Sequence, residues 1–196
     1  MKTPATFAAV LALCILGSAS SARAFGHEEI IEYHNSILDH YFLAVAAEAE
    51  IIDRGGAGAG WARTGKAYTV ENPGYPFYGV PVCRFYGSVT PGPNSHFFTA
   101  NQAECDGLKA LAESLPPEVP KWHYEGIAFF GVALFDGKCA LSDSQPSHSY
   151  PMYRLYNRGF ERGIDSNHRY TTSRLTVEEM KAQGWVEEGI AWCVWG

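Results

Sequence analysis

The chain has 196 residues, a formal net charge of −6, 46% hydrophobic, 18% charged and 14% aromatic residues. That balance describes a globular domain, at a size that buries about 70% of the unfolded chain's surface without help from a partner. The acidic excess, with no basic stripe anywhere in the chain, excludes nucleic acid and anionic membrane surfaces as partners, since both are gripped through clustered Lys and Arg.

Residues 1–24 read as a secretory signal peptide. Lys2 supplies the positive start, Phe7 to Leu16 an apolar stretch too short to span a bilayer, and Ala22-Arg23-Ala24 a small-residue cleavage signal. Leu13 stands before Cys14 where lipid anchoring wants a small residue. The expectation is cleavage near Ala24, a secreted or periplasmic location and no membrane insertion. Residues 25–196 form the expected single domain.

That domain contains one pattern three times, at about 30–71, 81–135 and 151–196. Copy one opens with Ile31-Glu32-Tyr33-His34-Asn35, continues with His40-Tyr41-Phe42 and a helical stretch from Ala46 to Asp53, and closes with Trp61, Gly65, Ala67 and Tyr68. A turn-rich connector with Gly74, Tyr75, Pro76, Tyr78 and Pro81 follows. Copy two runs through Cys83-Arg84-Phe85-Tyr86-Gly87, His96-Phe97-Phe98-Thr99, a helix from Gln102 to Leu111 stopped by Pro116-Pro117, and Trp122 with Gly126, Ala128 and Phe129. Beyond a second connector, from Gly137 to Pro151 with His148 and Tyr150, copy three repeats the order. It has Tyr153-Arg154-Leu155-Tyr156-Asn157, His168-Arg169-Tyr170-Thr171, a helix from Thr176 to Gln183, and Trp185 with Gly189, Ala191 and Trp192.

The H-x-[FY] and W-x-x-x-G-x-A segments are aromatic, β-branched and bounded by Gly or Pro, so they predict strands. In the third helix Thr176 and Glu179 predict a capping box, and Gly184 a C-terminal stop. The recurrent Gly predicts a bulge or a positive φ. With the Ala two residues on, it predicts a small-residue face that a Trp fills. One copy is too small to close a core, so three copies are expected to share one. The fold class is therefore β-rich with short helices, in a pseudo-threefold, β-trefoil-like arrangement. The alternatives are a three-unit α+β assembly or a small irregular barrel.

Cys83, Cys105, Cys139 and Cys193 remain after the leader, an even number that suggests two disulfides in an exported chain. Three pairings are open. Cys83–Cys105 with Cys139–Cys193 is favoured, because each pair lies within or beside one copy. No C-x-x-C spacing supports zinc at these thiols.

The strings Tyr153-Arg-Leu-Tyr-Asn157, His96-Phe-Phe-Thr99 and Trp122-His-Tyr-Glu-Gly-Ile-Ala-Phe129 resemble a bacterial secreted tandem-repeat family catalogued as a domain of unknown function. The resemblance runs from about Ile31 onward. Such repeats are often attached to extracellular hydrolases, which implies an accessory or adhesion role, and the family supplies no catalytic residues.

His40, His96 and His168 recur at one motif position. They are read as scaffold first, as ligand contacts second, and as a shared metal site only if the three converge. Trp61, Trp122 and Trp185, with Gly65, Gly126 and Gly189, are read as the repeat's structural core. Tyr75, Tyr78, His148 and Tyr150, in less regular segments, are candidate sugar contacts. Arg84 and Arg154 are placed to pair with Glu125 and Glu188, or with helix carboxylates. No G-x-S-x-G, H-E-x-x-H or phosphate loop occurs, and no cofactor or metal is implied. The only polar grouping peculiar to one copy is Glu32, His34, Asp39 and His40. The functional expectation is a secreted, non-catalytic module that binds carbohydrate or another cell-surface polymer, with three equivalent shallow sites adding avidity. The alternatives are a structural or protein-interaction domain beside a secreted hydrolase and, further down, an uncharacterised hydrolase.

Overall fold

The computed structural model describes residues 26–72, 79–88, 93–139 and 149–196. The leader with its cleavage point near Ala24, and Tyr75, Tyr78 and His148, lie outside the described residues. The described chain is β-rich with four short helices. Among the described residues no helix is long and apolar enough to cross a membrane.

Copy one holds β1 (His27–Asn35), β2 (His40–Val45), α1 (Ala46–Asp53) and β3 (Trp61–Glu71). Copy two holds β4 (Gly79–Gly87), β5 (His96–Thr99), α2 (Gln102–Ser114) and β6 (Trp122–Val132). Copy three holds β7 (Ser149–Tyr156), a one-turn α3 (Gly159–Arg162), β8 (His168–Thr171), α4 (Arg174–Ala182) and β9 (Val186–Trp195). In each copy the first strand is central. It pairs antiparallel with the short second strand on one side and the long third strand on the other. The third strands then bridge one another pairwise, at Glu71↔Phe130, Val132↔Cys193 and Thr69↔Trp195.

The core has the shared form the repeat predicts. One cluster takes equivalent side chains from every copy: Ile30, Val82 and Met152; Leu43, Phe98 and Tyr170; Tyr68, Phe129 and Trp192. Three smaller clusters each seat a helix on its own sheet, through Ala49 and Ile52, through Cys105, and through Val177 and Met180. Tyr170 knits β8 to β5 in both directions: its hydroxyl accepts from Phe98 N–H and donates to Phe98 C=O, each at 2.8 Å. Asn167 does the same for Tyr41 on β2.

The cysteines pair as Cys83–Cys105 and Cys139–Cys193. Gly65, Gly126 and Gly189 have φ of +82°, +123° and +100°, beside register shifts in the ladder with the central strand. Only the backbone conformation demands glycine there. A Cβ at any of the three would meet nothing within 4 Å, so the expected Trp-filled face does not exist. The third helix begins earlier than its sequence suggests. Ser173 is the N-cap and accepts from Thr176 N–H at 3.2 Å, which leaves Thr176 inside the first turn. Gly184 ends it as expected, with φ of +92° and Trp185 N–H returning to Met180 C=O.

Strand register also corrects the alignment of copy one. Tyr86 faces His96 and Tyr156 faces His168, but His34 faces Tyr41. Tyr41, not His40, therefore occupies the histidine position, and the imidazole and phenol have exchanged strands. The turn of copy one spans only 36–39, and this brings β2 in one residue out of step with the motif.

Candidate functional site

The copies meet at three junctions built from the same positions. Where copy one meets copy two, the Phe42 ring lies 4.5 Å from the His96 ring, which packs on Tyr86 at 4.8 Å. Arg84 sends Nη1 to Glu48 on α1, 2.5 Å away, and Nε to Glu125 on β6, 2.9 Å away. His96 Nε2 stands 3.4 Å from the same Glu125 oxygen. Where copy two meets copy three, Phe97 lies 4.8 Å from His168, which stacks on Tyr156 at 4.9 Å. Arg154 there commits all three nitrogens, Nε to Glu188 and both Nη atoms to Glu104 on α2. Both arginines thus take a helix carboxylate and a β-strand carboxylate at once.

The third junction inverts this polarity. Glu32 stands at the arginine position and Arg169 at the position of Phe42 and Phe97. The Arg169 guanidinium donates to both Glu32 oxygens at 3.0 Å and lies 4.0 Å from the Tyr41 ring centroid. Thr64, in place of Glu125 and Glu188, donates to Glu32 at 2.7 Å. Thr176, in place of Glu48 and Glu104, accepts from Lys66 Nζ at 2.9 Å.

The polar floor is most open at the first junction; at the second, Arg154, Glu104 and Glu188 line a smaller cavity of about 150 Å³. A cleft of about 540 Å³ separates α1 and Trp61 from β4 and β5, and its lining includes Arg84, Glu48, Glu125, His96, His40, Tyr86 and Asn94. At the second junction the longer turn of copy three, with Phe160, Ile164 and Asp165, meets Trp122 and the Leu108–Leu111 face of α2. The resulting groove, about 600 Å³, is mainly apolar, and His168 beneath it is only 8% exposed. At the third, Trp185 is buried and Tyr41 packs edge-on against it. The scaffold repeats, but the junction surfaces differ in size and polarity.

The histidines of these junctions are uncharged near neutral pH. Burial, reinforced by the Arg84 charge, pushes His96 down to about 3. Burial and Arg154 do the same to His168, also to about 3. Burial lowers His40 as well, against the opposing pull of Asp165, whose carboxylate is 3.7 Å away. The His96–Glu125 and His168–Glu188 contacts are therefore dipole–charge contacts, not ion pairs. Among the described residues no three His, Cys, Asp or Glu side chains gather as metal ligands. His40 and His96 line the open cleft, whereas His168 is buried at the second junction. Tyr150 is 47% exposed on β7 opposite Val194, outside the cleft lining. Trp61 and Trp122 are half-buried and Trp185 is buried, so the repeat tryptophans combine packing with one exposed edge at the cleft.

Sequence reasoning missed Glu48, Ile51 and Ile52 on α1 as a cleft wall. The signal available was the recurrence of Glu48 and Glu104 at the third position of two helices.

A family model for a domain of unknown function, DUF5648, matches residues 31–195, and the chain belongs to that family. No curated protein and no solved structure matches the chain.

Proposed function

We propose that the chain is an exported, non-catalytic glycan-binding module, with its three copies set about a pseudo-threefold axis in a trefoil-like manner and its ligand seated between copies one and two. The observation that carries this reading is the chemistry of the open cleft. Arg84 engages its carboxylates through Nη1 and Nε, so among the described residues Nη2 is left as a donor beside the part-exposed Glu125 carboxylate. Donor and acceptor side by side suit neighbouring sugar hydroxyls, and the Trp61 edge offers a platform for the apolar face of the ring. Catalysis finds little support in the same cleft. An imidazole held at about 3, as His96 is, makes a weak general base. Export is supported by the leader pattern and by the two disulfides.

The test is a glycan array probed with the oxidised domain and with Trp61→Ala and Arg84→Gln, each checked for native near-UV circular dichroism. Binding to one glycan class, lost in both variants, is the expected result. A folded domain that ignores every glycan would reject the reading. The apolar groove at the second junction supports a second reading, a docking surface for a secreted protein. Phe160 is 85% exposed there, with Leu111 and Ile164 each at 51%. Copurification with a protein partner that fails on Phe160→Ser, without glycan binding, would favour it.

A further inference from the structure

The charge inventory of the cleft narrows the sugar, an inference that rests on the glycan reading. Two carboxylates, Glu48 and Glu125, share one guanidinium, that of Arg84. Among the described residues no other Lys or Arg lines the cleft. The two imidazoles present, His40 and His96, stay neutral through burial. The floor therefore holds one uncompensated negative charge, with both carboxylates only about a third exposed at 30% and 33%. The opposite wall is apolar: Trp61, Phe42, Ile51 and Ile52. A uronate or phosphate on the ligand would add to the excess charge. A neutral sugar would leave it unmet, and an ammonium would cancel it in a site where low exposure strengthens the interaction.

We propose that the cleft recognises a glycan residue carrying a free, protonated amine, with the ammonium at the Glu125 carboxylate and the ring against Trp61. The third junction supplies an internal contrast, because Thr64 occupies the Glu125 position there and the carboxylate it faces, Glu32, is already neutralised by Arg169. The third junction therefore lacks the amine site, whereas the second repeats one guanidinium between two carboxylates, Arg154 with Glu104 and Glu188, over a smaller cavity of about 150 Å³.

The experiment is calorimetric titration of the oxidised full domain with three tetrasaccharides of one linkage: glucosamine, N-acetylglucosamine and glucose. The glucosamine form is expected to bind about tenfold tighter than the other two. Glu125→Gln should erase that advantage, so that this variant binds the amine and neutral forms with equal affinity. Trp61→Ala, which leaves the charges in place, should weaken all three. Equal affinities for amine and neutral forms would overturn the amine assignment while leaving the glycan reading intact. Undiminished glucosamine binding by Trp61→Ala would overturn it too, by showing general attraction of a cation to an acidic domain. Failure of all three sugars, together with a silent glycan array, would remove the glycan reading and the amine assignment with it.

Discussion

Replacing Glu32 with Gln strands the Arg169 guanidinium opposite a neutral amide. Glu32 is 1% exposed and Arg169 9% exposed, so water cannot take over the lost carboxylate. Removing one member of such a pair costs about 3–5 kcal/mol, most of it the penalty of an uncompensated buried charge. Gln keeps one acceptor for Arg169 or for Thr64, which places the loss near the lower end, about 3 kcal/mol. With a urea m-value of about 1–3 kcal/mol/M for a domain of this size, the unfolding midpoint should fall by about 1–3 M. Urea titration of the oxidised protein, followed by tryptophan fluorescence, reads this directly. Glu32→Leu with Arg169→Leu removes both charges and should recover most of the loss, since apolar replacement of a whole buried pair is often neutral or better. A Glu32→Gln loss below about 1 kcal/mol, the size expected of an exposed pair, would refute the claim that the third junction is closed by a desolvated ion pair.

Acid should destabilise the fold through His96 and His168. Both are neutral in the folded state and held at about 3 by burial, so below pH 6.5 the unfolded chain binds protons that the folded one refuses. Stability is then full above that range and declines as pH falls towards 3, by at most about 1.4 kcal/mol per pH unit for each histidine. Glu188, raised by its own burial, offsets part of this in the carboxylate range. His168→Gln should flatten the decline between pH 6 and 5, measured by thermal or urea unfolding across pH; an unchanged slope would show that His168 does not govern it. Removing the Cys139–Cys193 bridge opens a loop of separation 54, for which chain entropy gives a loss of about 4 kcal/mol. The Cys83–Cys105 bridge, with a separation of 22, should cost about 3 kcal/mol. Double-serine variants compared by urea unfolding check the order.

The parts of the fold legible in the sequence are those set by local rules. The α1 segment is Ala- and Glu-rich and spans Ala46–Asp53 as its composition suggests. The three motif glycines announce a backbone that other residues adopt only under strain. The disulfide pairing followed from placing each bridge within or beside one copy. Arg84 and Arg154 found the strand and helix carboxylates together, but that the helix partner comes from the preceding copy depends on packing between units 36 and 50 residues apart. The His40 alignment failed because a four-residue turn moved the strand by one position while the motif letters stayed aligned. The open cleft was illegible for a similar reason. Whether a repeated floor is exposed depends on the turns laid over it, and these are the least alike segments of the three copies. One clue was present: Glu32 replaces the motif arginine in copy one, while copy three carries an extra arginine, Arg169, beside its motif histidine, charges of opposite sign that mark their contact.

The two disulfides are distributed unequally between the walls of the cleft. Cys83 ties β4 to α2, and Cys193 ties β9 to the segment that follows β6, so copies two and three are cross-linked while copy one has no covalent tie beyond the main chain. One jaw of the cleft is bolted to the frame; the other, α1 with Trp61, closes on it through the Arg84–Glu48 contact and aromatic packing. The covalent cross-links thus lie on the side of the cleft that carries Arg84, His96 and Glu125, and the facing wall is held to it by non-covalent contacts alone.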